Sequence, residues 1–161
     1  MNLIDVMIAS YEFNRTRTLA TLDRIEKLDQ QAALAWRPGP GRAHLGWQFM
    51  HVGITEDLFA SERLAPGKRS PKFQELWERF RGGSTPDDNP VSLDQIRDVL
   101  ATSRASLLET LGELSEDDLD EIPAGFAERG LPLRTVLQII GWHESHHQGQ
   151  AHITLNLFEN Q

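Results

Sequence analysis

Two histidines spaced four apart, His143 and His147, and a third far upstream, His51, are the residues of this chain best suited to chemistry. At about 100° per residue along an α-helix, positions i and i+4 differ by roughly 40°, so the imidazoles of His143 and His147 stack one turn apart on the same side. Two such rings can grip one ion together. His51, from a second helix, would complete a three-nitrogen face on a divalent metal and leave a coordination position for water or substrate. The apolar residues Val136, Ile139 and Ile140 run directly into the pair, which turns both rings inward. The same pattern has a plainer reading, in which each histidine is a core residue whose ring nitrogens find protein acceptors. His146, about 60° from the centre of the stripe, is either a donor that steadies a ligand from behind or a boundary residue. Gln150 lies one turn beyond His147. It either orients a metal-bound water or makes a buried helix-to-helix hydrogen bond. His44 and His152 read as capping or surface residues.

The elements that must carry these residues are helical. Ile4, Ile8, Tyr11, Thr18, Leu22 and Ile25 fall on one stripe with no proline before Pro38, which predicts a first long helix. Trp36 to Arg42 contains two prolines and two glycines and reads as a loop. From about His44 a second helix presents Trp47, His51, Ile54, Thr55 and Leu58 on one face until Pro66-Gly67 stops it. Ala65 to Pro90 is a long connection, with a short amphipathic helix expected around Phe73, Leu76, Trp77 and Phe80. A third helix opens at Ser92, where Ser92-x-x-Gln95 fits a capping box, and buries Ile96, Leu100, Ser103, Leu107 and Leu111. The fourth runs from about Pro132, suited to a first-turn position, to Phe158, with Val136, Ile139, Ile140, His143, His147, Gln150, Thr154 and Leu157 as its buried stripe. No segment alternates with the period of a strand. The expectation is a single all-α domain over residues 1–161: a four-helix bundle with a long crossover between helices two and three that carries a short extra helix.

Composition narrows the chemistry. The chain has no cysteine, which removes disulfides, thiolate ligands and any thiol nucleophile of its own. A formal charge of −8 repels phosphate backbones, so nucleic acid is not an expected partner. No window is long and apolar enough for a membrane span, and the stretch from Met1 to Ser10 lacks the form of a secretory signal. The expected location is cytoplasmic.

His143-Glu144-Ser145-His146-His147 also matches H-E-x-x-H, the metalloprotease helix in which the glutamate is the general base. Such enzymes need a third ligand downstream, and neither Glu159 nor His152 falls at the required spacing. They also commonly hold substrate backbone against an exposed strand, which this sequence does not offer. Glu144 should point about 100° from His143, toward solvent or a neighbouring helix.

The loop Trp36-x-Pro38-Gly39-Pro40-Gly41-Arg42, the helix carrying His51, and the final run His143-Glu144-Ser145-His146-His147-Gln148-Gly149-Gln150 together resemble the DinB/YfiT-like metalloenzymes over nearly the whole chain. The resemblance implies a four-helix bundle with helices two and three parallel, a homodimer, and a metal held by His51, His143 and His147. Two positions depart from the family pattern. His44 stands where relatives often carry a serine that caps the second helix, and Trp142 where asparagine is frequent. Some members transfer low-molecular-weight thiols or isomerise small acids with their help, so the expected partner is a small-molecule substrate, with such a thiol as one candidate. Zinc or nickel is the expected ion, with iron an alternative. Tyr11, Asn14 and Gln150 are the polar groups whose stripes could bring them to the cavity, and none is assigned as a general base. Two non-enzymatic readings compete. One is a structural or stress-response bundle closed by its ion. The other is a helical scaffold that docks partners on the Phe73–Phe80 stripe.

Overall fold

The computed structural model describes residues 2–89 and 91–161. Met1 and Pro90, which bound the first stretch and the long connection in the sequence reading, lie outside the described residues. Every regular element among those described is helical. Helix α1 spans Leu3–Ile25 and opens with a capping box, in which Asn2 Oδ1 accepts from the Asp5 amide and Asp5 accepts from the Asn2 amide. A short helix α2, Gln30–Ala35, follows behind an Asp29 cap. Helix α3, Leu45–Leu58, continues through a π-helical turn at Phe59–Arg63 before the chain leaves it.

The crossover holds a 3₁₀ turn, Gln74–Leu76, leading into helix α4, Trp77–Phe80, where the sequence placed its short helix. Helix α5 covers Leu93–Leu111. The serine half of its expected capping box is formed, with Ser92 Oγ accepting from the Gln95 amide at 3.0 Å. Helix α6, Leu133–Glu159, begins one residue later than expected, with Pro132 as the capping residue. Helix α3 packs on α5 and α6, and α1 packs on α6 and, less extensively, on α5. Where α3 meets α5 the contacts advance together, from Gly46 against Val91 through Gly53 against Val99 to Glu56 against Arg104. These two helices therefore run in the same direction.

Two apolar clusters fill the interior. One is built around Leu22, Ile25, Phe49, Ile54, Ile96 and Leu155, the other around Ile4, Phe59, Leu107, Phe126, Val136 and Ile140. Between them lies a charged layer, one residue from each long helix: Arg15, Glu56, Arg104 and Glu144, all buried. Arg15 donates to Glu144 Oε1 at 2.7 Å and Glu56 Oε2 at 2.9 Å. Arg104 donates to Glu56 Oε1 and Glu144 Oε2, both at 2.5 Å. Backbone carbonyls of Leu100 and Tyr11, the Thr18 hydroxyl and, from the exposed side, the Glu12 carboxylate take up the remaining bonding capacity. Burial opposes the charge on Arg104, but Glu56 and Glu144 outweigh it and raise its pKa above the ordinary value. Two positive and two negative groups bonded in this way can be buried without leaving a net charge in the core.

That layer corrects the expected face of the last helix. The buried line on α6 runs through Leu137, Ile140, Glu144, Ala151 and Leu155, while Gln150 and Leu157 are exposed and Ile139 is half-buried. The line is rotated from the expected one because its central residue is a glutamate, which a reading based on apolar residues passes over. The histidines sit at its edge.

Candidate metal centre

His51 lies on α3 and is buried, and His143 and His147 lie on α6 and are half-buried. The three rings form a nearly equilateral triangle, with centroid separations of 4.8, 4.6 and 4.7 Å. One ring nitrogen from each falls within 4.8 Å of the others.

The orientation of His51 is fixed on both sides. Its Nδ1–H donates to the Phe80 carbonyl at 2.6 Å, and its ring stacks on Trp47 at 4.7 Å with an interplanar angle of 12°. A carbonyl only accepts, so Nδ1 carries the proton and Nε2 of the neutral ring offers a lone pair. That Nε2 is 3.0 Å from His143 Nε2. Two nitrogens about 2.05 Å from one ion, at angles between octahedral and tetrahedral, stand roughly 2.9–3.3 Å apart. His147 Nδ1 is buried with no hydrogen-bond partner among the described residues. A carbonyl that fixes one ring from behind, a short nitrogen-to-nitrogen approach and an orphaned buried nitrogen fit a metal better than they fit three separately satisfied core histidines. The triad can hold a divalent cation.

Electrostatics favour the neutral rings. Burial first, then the neighbouring imidazoles, pushes His143 down to about 2 and His147 down to about 4. Burial also lowers His51, against the upward pull of the Phe80 carbonyl. All three are therefore unprotonated at neutral pH and can bind a cation without first releasing a proton.

Three of the other candidates, Glu144, Tyr11 and Asn14, are engaged elsewhere. Glu144, the would-be base of H-E-x-x-H, turns away from the triad into the charged layer, where Arg15, Thr18 and Arg104 occupy its oxygens. The metalloprotease arrangement is therefore not formed. Tyr11 donates to the Leu137 carbonyl at 2.6 Å, and Asn14 donates to the Gly141 carbonyl at 3.2 Å, so neither faces the triad as a free polar group. His146 is exposed, stacks on Trp142 and pairs with Gln150 at 3.0 Å between Nε2 atoms. Both stand beside the triad, because the His146 ring also meets the His147 ring edge-on, with centroids 5.2 Å apart. His44 caps α3 in place of a serine: its Nδ1 accepts from the Trp47 amide, and its Nε2 donates to the Asp87 carbonyl.

Asp57 escaped the sequence reading. It is fully buried beneath the crossover and accepts from the Lys72 and Phe73 amides and from Trp77 Nε1. It thereby fixes the segment that ends in Phe80, the residue holding His51. Among the described residues no helix is long and apolar enough to cross a membrane. The sequence pattern of the DinB superfamily matches residues 10–151 of the chain, and no curated protein matches it.

Proposed function

The chain belongs to the DinB superfamily, and from that premise and the geometry of the triad we propose that it is a metal-dependent enzyme acting on a small molecule, with His51, His143 and His147 as ligands. The observation that carries the proposal is the convergence of three neutral imidazoles from α3 and α6, one of them locked by Phe80 and another left with an unpartnered nitrogen. Zinc or nickel is the proposed ion. Such an ion supplies an acidified water or a stabilised thiolate as nucleophile, and since the chain has no cysteine any thiol is a cosubstrate. The residues around it have separate tasks. Phe80 sets the His51 tautomer, Trp47 covers one face of that ring, and the charged layer sets the position of α6 through Glu144. The four long helices are read as one four-helix bundle. The protein is read as a cytoplasmic homodimer, whose second copy covers exposed apolar side chains such as Phe13 and Trp142.

Elemental analysis of protein purified without added metal tests the first step. The wild type should carry about one ion, while His51→Ala and His147→Ala should lose most of it and keep their helical circular dichroism. A catalytic site keeps an open position. The cobalt-substituted protein should therefore gain a thiolate-to-cobalt absorption band when 2-mercaptoethanol is added, and chelation should leave the helices folded. Collapse of the fold on chelation, with no band, would favour the structural reading instead.

A further inference from the structure

Away from the triad and the charged layer, a half-buried cation is left without an anion. Arg63 ends the π-helical turn that continues α3, and its guanidinium lies over the stacked rings of Phe59 and Phe126, 5.7 and 5.8 Å from their centroids. Its backbone is held from the other side, where a Cβ added at Gly125 would fall 2.5 Å from the Arg63 Cα. The side chain is thus positioned by packing. Yet none of its N–H groups meets a protein acceptor among the described residues, and none of its nitrogens is closed to solvent. The aromatic faces attract the charge but leave the in-plane donors of the guanidinium unfilled. Burial first, and then Arg129, lower the Arg63 pKa, and no carboxylate offsets them.

Arg63 lines a cavity of about 440 Å³ whose opposite wall is the run Arg81-Gly82-Gly83-Ser84, just past α4. Its size falls within the range of small-molecule sites. Arg81 is tied only to Glu78, through an exposed i, i+3 pair that is worth little in water. The Gly82 and Gly83 amides donate to no protein group among the described residues, and Gly83 takes φ +87°, which a side chain would resist. Ser84 is already committed, since its hydroxyl donates to the Arg79 carbonyl at 2.8 Å. Glu78 brings the one carboxylate to the lining, and Arg81 occupies it. Gly82 also borders the triad, because a Cβ added there would lie 3.9 Å from His51 Cε1.

We infer that this cavity is a phosphoryl site, in which Arg63 and Arg81 meet the oxygens of a phosphate dianion and the Gly82 and Gly83 amides complete its shell. A phosphoryl group sets three terminal oxygens and nearly two negative charges against donors from two walls. A carboxylate has two oxygens in one plane and a single charge, so it can engage one arginine fork but not both walls. Free phosphate and a small phosphate monoester present the same group. No histidine takes part, so the site stands or falls apart from the metal reading.

The test is an NMR shift titration at neutral pH and constant ionic strength, following the Gly82 and Gly83 amide signals. Inorganic phosphate, phenyl phosphate and benzoate are the probes. Both phosphates should move the two signals, and phenyl phosphate should bind about tenfold more tightly than benzoate, which carries the same ring on a carboxylate. A tighter fit for phenyl phosphate than for inorganic phosphate identifies an esterified ligand, and equal affinity identifies phosphate itself. Arg63→Gln should weaken phosphate about tenfold and Arg81→Gln about threefold, while Arg17→Gln, an exposed arginine on α1, should change nothing. Thermal melts check that each variant folds, and if Arg63→Gln does not, Arg81→Gln and the glycine signals carry the test. The inference is overturned if phosphate leaves those signals unmoved, if benzoate binds as tightly as phenyl phosphate, or if Arg17→Gln weakens binding as much as Arg63→Gln or Arg81→Gln. Each titration is repeated after metal is removed and the chelator dialysed away. Unchanged affinity supports the cavity, whereas loss of binding would put the phosphate on the ion and overturn the assignment to Arg63.

Discussion

Replacing Glu144 by glutamine separates a structural role from a catalytic one. The wild-type carboxylate accepts from Arg15 and Thr18 on one oxygen and from Arg104 on the other. A glutamine keeps one acceptor and turns an NH2 toward the second set of donors, so at least one charge-assisted bond becomes a donor-to-donor contact. The layer of two arginines and two glutamates is also left with one buried positive charge unmatched. Removing one partner of a buried ion pair costs about 3–5 kcal/mol. For a chain of this size each kcal/mol lowers the melting temperature by roughly 2–4 °C, so Glu144→Gln should melt about 6–20 °C below wild type. Urea denaturation gives the free energy directly, and elemental analysis of the same preparations should still find the ion, held less tightly, because the carboxylate positions α6 without being one of the ligands. In a protease-type H-E-x-x-H site the same substitution would silence the chemistry and leave stability nearly intact. A loss below about 1 kcal/mol, or loss of the ion without loss of stability, would refute the assignment of Glu144 to the charged layer.

Asp57→Ala removes the acceptor of three donors in the crossover; it should cost about 2–4 kcal/mol, speed hydrogen exchange over residues 72–80, and weaken metal binding about tenfold through Phe80. Because His143 and His147 are pushed down to about 2 and about 4, the folded metal-free protein takes up fewer protons than the unfolded chain below pH ~6.5. Its stability should therefore be full above that pH and fall as the pH drops toward 4, by up to ~1.4 kcal/mol per unit for each histidine, and His147→Ala should flatten the calorimetric profile. Gly53→Ala would place a Cβ 2.7 Å from Val99 Cγ1 and 3.3 Å from the Val99 carbonyl carbon; with α5 that close, a loss of about 1–3 kcal/mol is expected in thermal melts.

The long helices and the three histidines were legible because their signals are local. Helical periodicity marked the stripes of α1, α3 and α5, and the spacing of His143 and His147 placed two rings on one side of α6 without tertiary information. The charged layer was not legible. Arg15, Glu56, Arg104 and Glu144 look like solvent-facing residues of amphipathic helices, and only their mutual pairing across four elements makes burial affordable. The same blindness shifted the expected face of α6 onto Gln150 and Leu157. Asp57 was hidden because its partners are backbone amides of an irregular segment, which no side-chain pattern announces. Helix α2 was missed because six residues carry too little periodicity, although Asp29 supplied an N-cap signal.

The charged layer also works as a vernier between the helices. Sliding α6 by one turn, about 5.4 Å along its axis, would carry Glu144 beyond reach of Arg15 and Arg104 and into apolar surroundings. The paired charges thus tolerate only a narrow range of longitudinal offsets between α3 and α6, adding a directional constraint to the non-directional one of apolar packing. An ion shared by His51 and His143 needs its donors aligned to a fraction of an ångström, and that alignment is inherited from the neighbouring residue on the same helix.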